Sequence, residues 1–350
     1  MDQYIPAMNE MRKIQKVSHN TLTVSIPSEY VKHLKLHGGD NVMVEEQADG
    51  TLRLIPSAKK PKTVKASIRV DMVDTDELLS RLVVGCYMLG YDAIELTSKN
   101  GISPAYLATV TRTLRSLRGV EIVQSSQNRL LAQSFMDPAK FPVDSLIKRL
   151  QLLVSKSLEH SIEALRNGSP SLLNEIRNIQ EEIDALYWLI VRQLLVALSD
   201  REISVKIGLE SPLHTSGDRV SAKTIEEIGR IILELTEEAV NSREAGIEID
   251  ERTMKRTEDL AKGANDSFEA TIESLLAPEI RTIDKALAKI EATLSLEREI
   301  TLELSDSEHP HMRTIISDFG QLARYCNIIV EIALNRLLRK TSKVCVIQEQ

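Results

Sequence analysis

Cysteine and aromatic residues are scarce in this sequence, and each shortage narrows what the protein can be. Its 350 residues include only 3 cysteines, Cys86, Cys326 and Cys345, and they lie far apart without the paired spacing of a zinc knuckle. A disulfide framework is therefore not expected, and a reducing compartment fits this usage. Aromatic residues make up 3% of the chain, which is few for the stacking surfaces that bind single-stranded nucleic acid.

Long hydrophobic runs are missing as well. The best apolar run, 186–198, is interrupted by Arg192 and Gln193, so no segment has the uniform apolar character of a membrane-spanning helix. No secretory signal pattern opens the sequence. We therefore expect a cytoplasmic protein that does not insert into a membrane.

The charge is unevenly distributed along the chain, whose net value is -7. Residues 1–65 carry ten Lys and Arg against seven Asp and Glu, whereas the remainder carries 34 against 44. Between Arg12 and Lys35 the only acidic residue is Glu29. A basic amino-terminal segment beside an acidic remainder is what contact with phosphate groups would require.

The amino-terminal segment has the pattern of a small β module. Residues 21–26 alternate polar and apolar, which predicts a half-buried strand, and Ser28 can cap a short helix after it. The pair Asp49-Gly50 predicts a hairpin between two further strands. About 45 residues of this kind bury too little surface to be stable alone, so we expect two copies to combine.

Two stretches of this module, 16–27 (KVSHNTLTVSIP) and 36–42 (LHGGDNV), resemble the AbrB/SpoVT family. The resemblance implies a swapped-hairpin dimer that binds double-stranded DNA through basic residues. Lysines and histidines stand where the family often has arginines, and lysine cannot fork onto a guanine edge. The candidate DNA-binding residues are Arg12, Lys13, Lys16, Lys32 and Lys35. The alternative is a solvated basic face on a module that only dimerises.

A basic linker, 57–65, is expected to join this module (1–56) to a small α/β domain at 66–140. Strand and helix signals there follow the order β-α-β-α-β-β, with Asp74 and Glu77 as a capping pair and Ser103-Pro104 opening the second helix. This order favours a small α/β sandwich of ferredoxin-like size. It holds no glycine-rich phosphate loop and no nucleophile motif, so a second dimer contact and a small-ligand site both stay open.

Helical periodicity dominates residues 141–345. Six long apolar stripes form two sets of three, about 143–246 and 250–341, which predicts a duplicated three-helix bundle. The first helix is expected to end near Gly168, and a break is expected around 208–217, before the third helix. In the second helix of each set an aspartate follows a core isoleucine: Asp184 after Ile183, and Asp284 after Ile283. Each carboxylate is therefore expected at the margin of the apolar stripe, within reach of a neighbouring helix.

The duplicated set, especially 181–194 (EEIDALYWLIVRQL), resembles the PhoU family of phosphate-signalling regulators. That resemblance implies two three-helix bundles with carboxylate motifs, which bind metal clusters in some members and catalyse nothing. A module like AbrB ahead of a bundle like PhoU resembles the arrangement of archaeal phosphate uptake regulators.

A divalent or iron-type metal is the cofactor that the PhoU resemblance implies. The residues that match its carboxylate motifs are Glu181, Asp184, Glu234, Asp284 and Glu331. The motifs are depleted, because Arg230 stands where the family usually has aspartate, and Arg230 is spaced to pair with Glu226 and Glu234 as a surface ion network. The alternative is that these carboxylates are solvated helix charges.

Together these features predict a multidomain α+β protein: a swapped-hairpin module, a small α/β sandwich and a six-helix bundle. The function they favour is a DNA-binding transcriptional regulator of phosphate uptake, dimeric or larger, whose bundle senses a signal or binds a phosphate-transporter ATPase or another phosphate-signalling protein. The alternative is an adaptor that restrains a phosphate transporter by protein contact alone. Every carboxylate is accounted for by helix solvation, so we do not expect an enzyme.

Overall fold

The computed structural model describes residues 10–18, 21–46, 50–56, 63–209, 212–247, 249–304, 310–339 and 345–346. The chain divides into two compact units, residues 1–62 and 63–350. Residues 19–20 of the AbrB-like stretch, Asp49 of the predicted hairpin turn and 57–62 of the predicted linker lie outside the described residues.

The first unit contains two antiparallel hairpins and one short helix. Their bounds are β1 Gln15–Lys16, β2 Leu22–Thr23, α1 Ser28–Leu34, β3 Val42–Glu46 and β4 Leu52–Pro56. β1 pairs with β2, and β3 pairs with β4. Helix α1 ends at Lys35, whose φ of 53° is left-handed.

Two sequence-based expectations for this unit are wrong. The strand predicted over 21–26 is a two-residue strand whose apolar residues are exposed, with Leu22 at 66%. The reason is that no second apolar layer covers these strands within the described part of the unit. Ser28 does not cap α1 but is its first residue, and Pro27 holds the cap position without a side-chain hydrogen bond.

The second unit begins with a four-stranded sheet and two helices. The elements are β5 Lys65–Arg69, α2 Asp76–Met88, β6 Ala93–Thr97, α3 Pro104–Ser116, β7 Val120–Ser126 and β8 Arg129–Ser134. The sheet order is β5-β6-β8-β7; β5 and β6 are parallel and the other pairs are antiparallel. Buried side chains from β6, β8, α2 and α3 form one apolar core, which includes Leu79, Leu96, Leu114 and Leu130.

Hydrogen-bonding side chains fix where both helices of this α/β layer begin. The Oγ of Ser103 accepts from the backbone N–H of Tyr106 at 3.2 Å, which confirms the predicted start of α3. For α2 the cap is Thr75, whose hydroxyl accepts from Leu78 N at 3.2 Å, so the predicted capping pair of Asp74 and Glu77 is wrong. The carboxylate of Glu77 instead accepts hydrogen bonds from Arg81 one turn along.

The remainder of the second unit is helical. The helices are α4 Val143–Asn167, α5 Pro170–Ser199, α6 Arg201–Lys206, α7 Pro212–Glu244, α8 Glu251–Leu276, α9 Ile280–Glu303 and α10 Pro310–Leu338. One continuous core runs through the bundle and includes both Ile183 and Ile283. None of the described helices is long and apolar enough to cross a membrane.

Two glycines of the bundle have different roles, one at the end of a helix and one inside a helix. Gly168, with φ of 61°, ends α4 as predicted. The predicted break over 208–217 is shorter than expected, because α6 ends at Lys206 and α7 already begins at Pro212 and runs through Gly217. A Cβ at Gly217 would lie 2.8 Å from Cγ2 of Ile332, so this glycine allows α7 and α10 to pack closely. The sequence pattern could not distinguish a packing glycine from a helix breaker.

The α/β layer packs on the bundle through α5. The indole of Trp188 contacts the α/β core, and a Cβ at Gly90 would lie 2.7 Å from Cγ2 of Val196. Arg192 Nη1 donates to the carbonyl oxygens of Tyr87 and Tyr91 at 2.7 and 3.0 Å. Gln193 Nε2 donates to the carbonyl oxygens of Pro138 and Phe141. The two polar residues that interrupt the apolar run 186–198 are therefore the ones that join the two layers.

Candidate functional site

The five candidate DNA-binding residues are all exposed in the first unit: Arg12, Lys13, Lys16, Lys32 and Lys35. Lys16 ends β1, Lys32 lies on α1, and Lys35 stands at the end of that helix. The guanidinium of Arg12 forms an ion pair with Glu10, which offsets part of its charge. The four exposed lysines can contact phosphate oxygens as point charges.

The same unit exposes an unusual amount of apolar surface. The large apolar side chains exposed there are Met11, Ile14, Val17, Leu22, Val24, Met43, Val44, Leu52 and Leu54. A contiguous unit of this size rarely leaves so many apolar groups in water unless another surface covers them. The basic residues therefore lie on a unit that also exposes a large apolar surface.

In the bundle, Asp184 lies at the contact between α5 and α7. Gln180 Nε2 donates to Asp184 Oδ1 at 2.8 Å, and Arg230 Nη2 lies 3.7 Å from the same oxygen. The buried carboxylate of Glu226, one turn before Arg230, pairs with Arg230 and with Lys223. Two carboxylates and two cations thus meet where the two helices cross.

Burial and the nearby carboxylate of Glu226 raise the pKa of Asp184 to about 6, although Gln180 and Arg230 act in the opposite direction. The close approach of the helices depends on Gly229, because a Cβ there would lie 2.5 Å from Oε1 of Gln180. That amide oxygen is buried and accepts no hydrogen bond among the described residues. Asp184 is therefore a partly enclosed carboxylate that can change its charge near neutral pH.

The other candidate metal ligands do not join Asp184. Glu181, Glu234, Asp284 and Glu331 are all exposed. Within the described ranges, no group of three or more His, Cys, Asp or Glu residues is placed to hold a metal ion.

The predicted surface network of Arg230 is wrong in part, because Arg230 pairs with Glu226, Glu227 and Asp184 rather than with Glu234, and Glu226 is buried. Helical spacing gave the neighbours of Arg230 on α7 but could not show that α5 covers them.

A second acidic contact between α7 and α10 was missed by the sequence analysis. Burial, together with Glu234 and Glu238, raises the pKa of Asp318 to about 6. His311 Nδ1 pairs with Glu238 on the facing helix. The spacing of 311 and 318 along one helix was the available signal, but nothing in the sequence indicated that α10 packs against α7.

These features define a helical bundle whose neighbouring helices meet through carboxylate and cation pairs. The PhoU domain model matches residues 147–239 of the chain, which extend from α4 through α5 to α7. The segment that is similar to a PhoU domain therefore includes Gln180, Asp184, Glu226 and Arg230. A comparison with curated proteins gave no match.

Proposed function

We propose that this protein is a cytoplasmic regulator of phosphate homeostasis that binds DNA through its first unit and uses its PhoU domain to receive a signal. The match of the PhoU domain to residues 147–239 carries the phosphate part of the proposal, because PhoU domains belong to phosphate-signalling regulators. The separate basic unit at the amino terminus carries the DNA part.

Exposed basic and apolar residues in the first unit support the DNA-binding role. Lys13, Lys16, Lys32 and Lys35 are available to phosphate oxygens, and the exposed apolar residues supply surface for a partner module. The resemblance to the AbrB/SpoVT family implies that the partner is a second copy joined by swapped hairpins. The resulting dimer would place two sets of lysines on one duplex, which raises affinity by multivalency.

The PhoU domain serves as the sensing or partner-binding part of the regulator in this proposal. A phosphate-transporter ATPase or another phosphate-signalling protein is the partner that the PhoU resemblance implies. Asp184 is the carboxylate best placed to respond to a bound partner, because the charge of Asp184 depends on the residues around it on α5 and α7. The divalent or iron-type metal that the resemblance implies stays a prediction, and among the described residues no three of Glu181, Asp184, Glu234, Asp284 and Glu331 are grouped to hold it.

Fluorescence anisotropy of a labelled duplex from the promoter of a phosphate-transport operon tests the DNA-binding role. The wild-type protein should bind, and its affinity should fall with salt at a slope of about -0.9 per phosphate contacted. A variant with Lys13→Ala, Lys16→Ala, Lys32→Ala and Lys35→Ala should bind at least about tenfold more weakly with a shallower salt slope. The matched control is Lys285→Ala with Lys289→Ala, two lysines on α9 that pair with acids of the bundle.

Equal binding by the wild type and the four-lysine variant would contradict the DNA-binding role. Absence of binding at low salt would contradict it as well. Co-purification of transporter subunits by a protein that binds no DNA would favour the adaptor function instead.

A further inference from the structure

A cleft lies between the α/β layer and the bundle, away from the contact that holds Asp184. Its volume is about 560 Å³, which falls in the range of pockets that bind small organic molecules. Clefts between layers or domains are frequent places for such pockets. The apolar walls are formed by Phe135, Met136, Phe141, Leu146, Leu186 and Leu189.

The aromatic wall of the cleft is open to solvent. Phe135 follows β8 directly and is 63% exposed, although the chain contains only 4 phenylalanines. Phe141 is half-buried and packs on the bundle core beside it. Covering an exposed phenylalanine in a concave apolar surface removes much apolar area from water, and this burial favours binding of a ligand.

The rim of the cleft is basic. Arg118, Lys140 and Arg149 line it, against the two acids Glu121 and Asp137. The carboxylate of Asp137 is already engaged, since it accepts the backbone N–H of Ala139 at 3.1 Å. The lining residues therefore carry one more positive than negative charge.

Two of these cations converge on a single point. Arg118 Nη2 and Arg149 Nη2 lie 3.9 and 3.7 Å from the same atom, Oε2 of Glu182. Both distances exceed that of a hydrogen bond, so Glu182 attracts the two guanidiniums without binding either of them tightly. A carboxylate or phosphate placed between them would accept the forked hydrogen bonds that Glu182 does not.

We propose that this cleft binds a small amphipathic anion, with an apolar body against Phe135, Phe141 and Leu189 and a carboxylate or phosphate head between Arg118 and Arg149. The walls come from both the α/β layer and the bundle, so an occupied cleft would bind the two layers together. The proposal does not depend on DNA binding, because it concerns only residues of the second unit.

Titration of the full-length protein with octanoate, octyl phosphate and octanol tests the proposal. Isothermal calorimetry gives affinity and stoichiometry, and the single tryptophan, Trp188, beside Leu189 gives a fluorescence signal. We expect octanoate and octyl phosphate to bind once per chain, and octanol at least about tenfold more weakly, because charge-assisted hydrogen bonds would hold the head.

Three variants assign the parts of the site. Arg118→Ala with Arg149→Ala should weaken both acids at least about tenfold and leave octanol unchanged. Glu182→Gln should tighten both acids severalfold, since it removes the competing carboxylate. Phe135→Ser should weaken all three ligands. Arg252→Ala is the matched control, because Arg252 forms an exposed ion pair with Glu303, and it should leave the affinity for all three ligands unchanged.

Equal affinity for octanoate and octanol in the wild type would overturn the proposal, and so would binding of octanoate by the double arginine variant at wild-type strength. Absence of heat and of a fluorescence change with all three ligands would overturn it too. Should the double arginine variant fail to fold, Glu182→Gln decides alone: tighter binding of the acids supports the proposal, and unchanged or weaker binding contradicts it.

Discussion

Arg192 on α5 donates to the carbonyl oxygen of Tyr87 at the end of α2 at 2.7 Å, and its guanidinium lies 5.0 Å from the centre of the Tyr87 ring. The side chain is buried and also donates to the carbonyl of Tyr91. One residue of α5 thus binds the carboxyl end of a helix in the α/β layer. A movement of α5 relative to α2 would therefore break these hydrogen bonds.

Arg192→Ala should lower the free energy of unfolding by about 2 to 4 kcal/mol, because it removes two hydrogen bonds donated by a buried guanidinium and leaves a cavity between the layers. Arg192→Lys keeps the positive charge although it loses the planar guanidinium. Its loss of unfolding free energy should therefore be smaller than that of Arg192→Ala. Urea denaturation followed by circular dichroism measures both. Arg177→Ala, which breaks the exposed pair with Glu237, should cost less than about 1 kcal/mol; a similar cost for both substitutions would refute the role of Arg192.

Two glycines near the carboxyl end of α2, Gly85 within its last turn and Gly90 just after it, give a matched pair of substitutions. Gly90→Ala combines a positive φ of 85° with a Cβ only 2.7 Å from Val196, so we expect a loss of more than about 2 kcal/mol. Gly85→Ala has no heavy atom within 4 Å of its Cβ and should stabilise the helix by roughly 0.5 to 1 kcal/mol. Thermal unfolding measures both, and a loss at Gly85 equal to that at Gly90 would contradict the close packing of the two layers.

Asp184→Asn should make the protein more stable at pH 7.5 and change little at pH 4. The pKa of Asp184 is raised from 3.8 to about 6, so the folded state holds a proton that the unfolded state has lost between these values. The wild-type stability therefore falls as pH rises through this window, by roughly 1 to 2 kcal/mol once solvent screening is allowed for. Urea unfolding of both proteins from pH 4 to 8 measures the difference, and a constant difference would show that the pKa is not raised.

Glu95 has the opposite sign of pH dependence. Hydrogen bonds from Lys65 and Arg129, at 2.9 and 2.7 Å, lower the pKa of this sheet residue from 4.5 to about 2. The contribution of Glu95 to the free energy of unfolding is therefore complete above pH 4.5 and is lost as pH falls towards 2. Glu95→Gln should destabilise by roughly 1 kcal/mol at pH 7, since both cations are partly exposed, and the cost should shrink below pH 4. The control is Glu77→Gln in the exposed pair with Arg81, which should have little effect at either pH.

Local signals in the sequence predicted the helices well, because the start and end of a helix depend on residues that are neighbours along the chain. The apolar periodicity, the cap at Ser103 and the end at Gly168 were sufficient to place α3 and α4. The candidate sites were harder to predict, because they depend on contacts between distant segments. Arg192 looked like an interruption until α2 was seen against it, and Glu226 looked like a surface charge until α5 covered it.

Chromatin immunoprecipitation of the protein from cells grown with ample phosphate and from phosphate-starved cells tests the central claim most directly. The account predicts enrichment of promoters of phosphate-transport genes in one of the two conditions, and loss of that enrichment when Lys13, Lys16, Lys32 and Lys35 are replaced by alanine. Equal, background-level recovery of these promoters in both conditions would contradict the account.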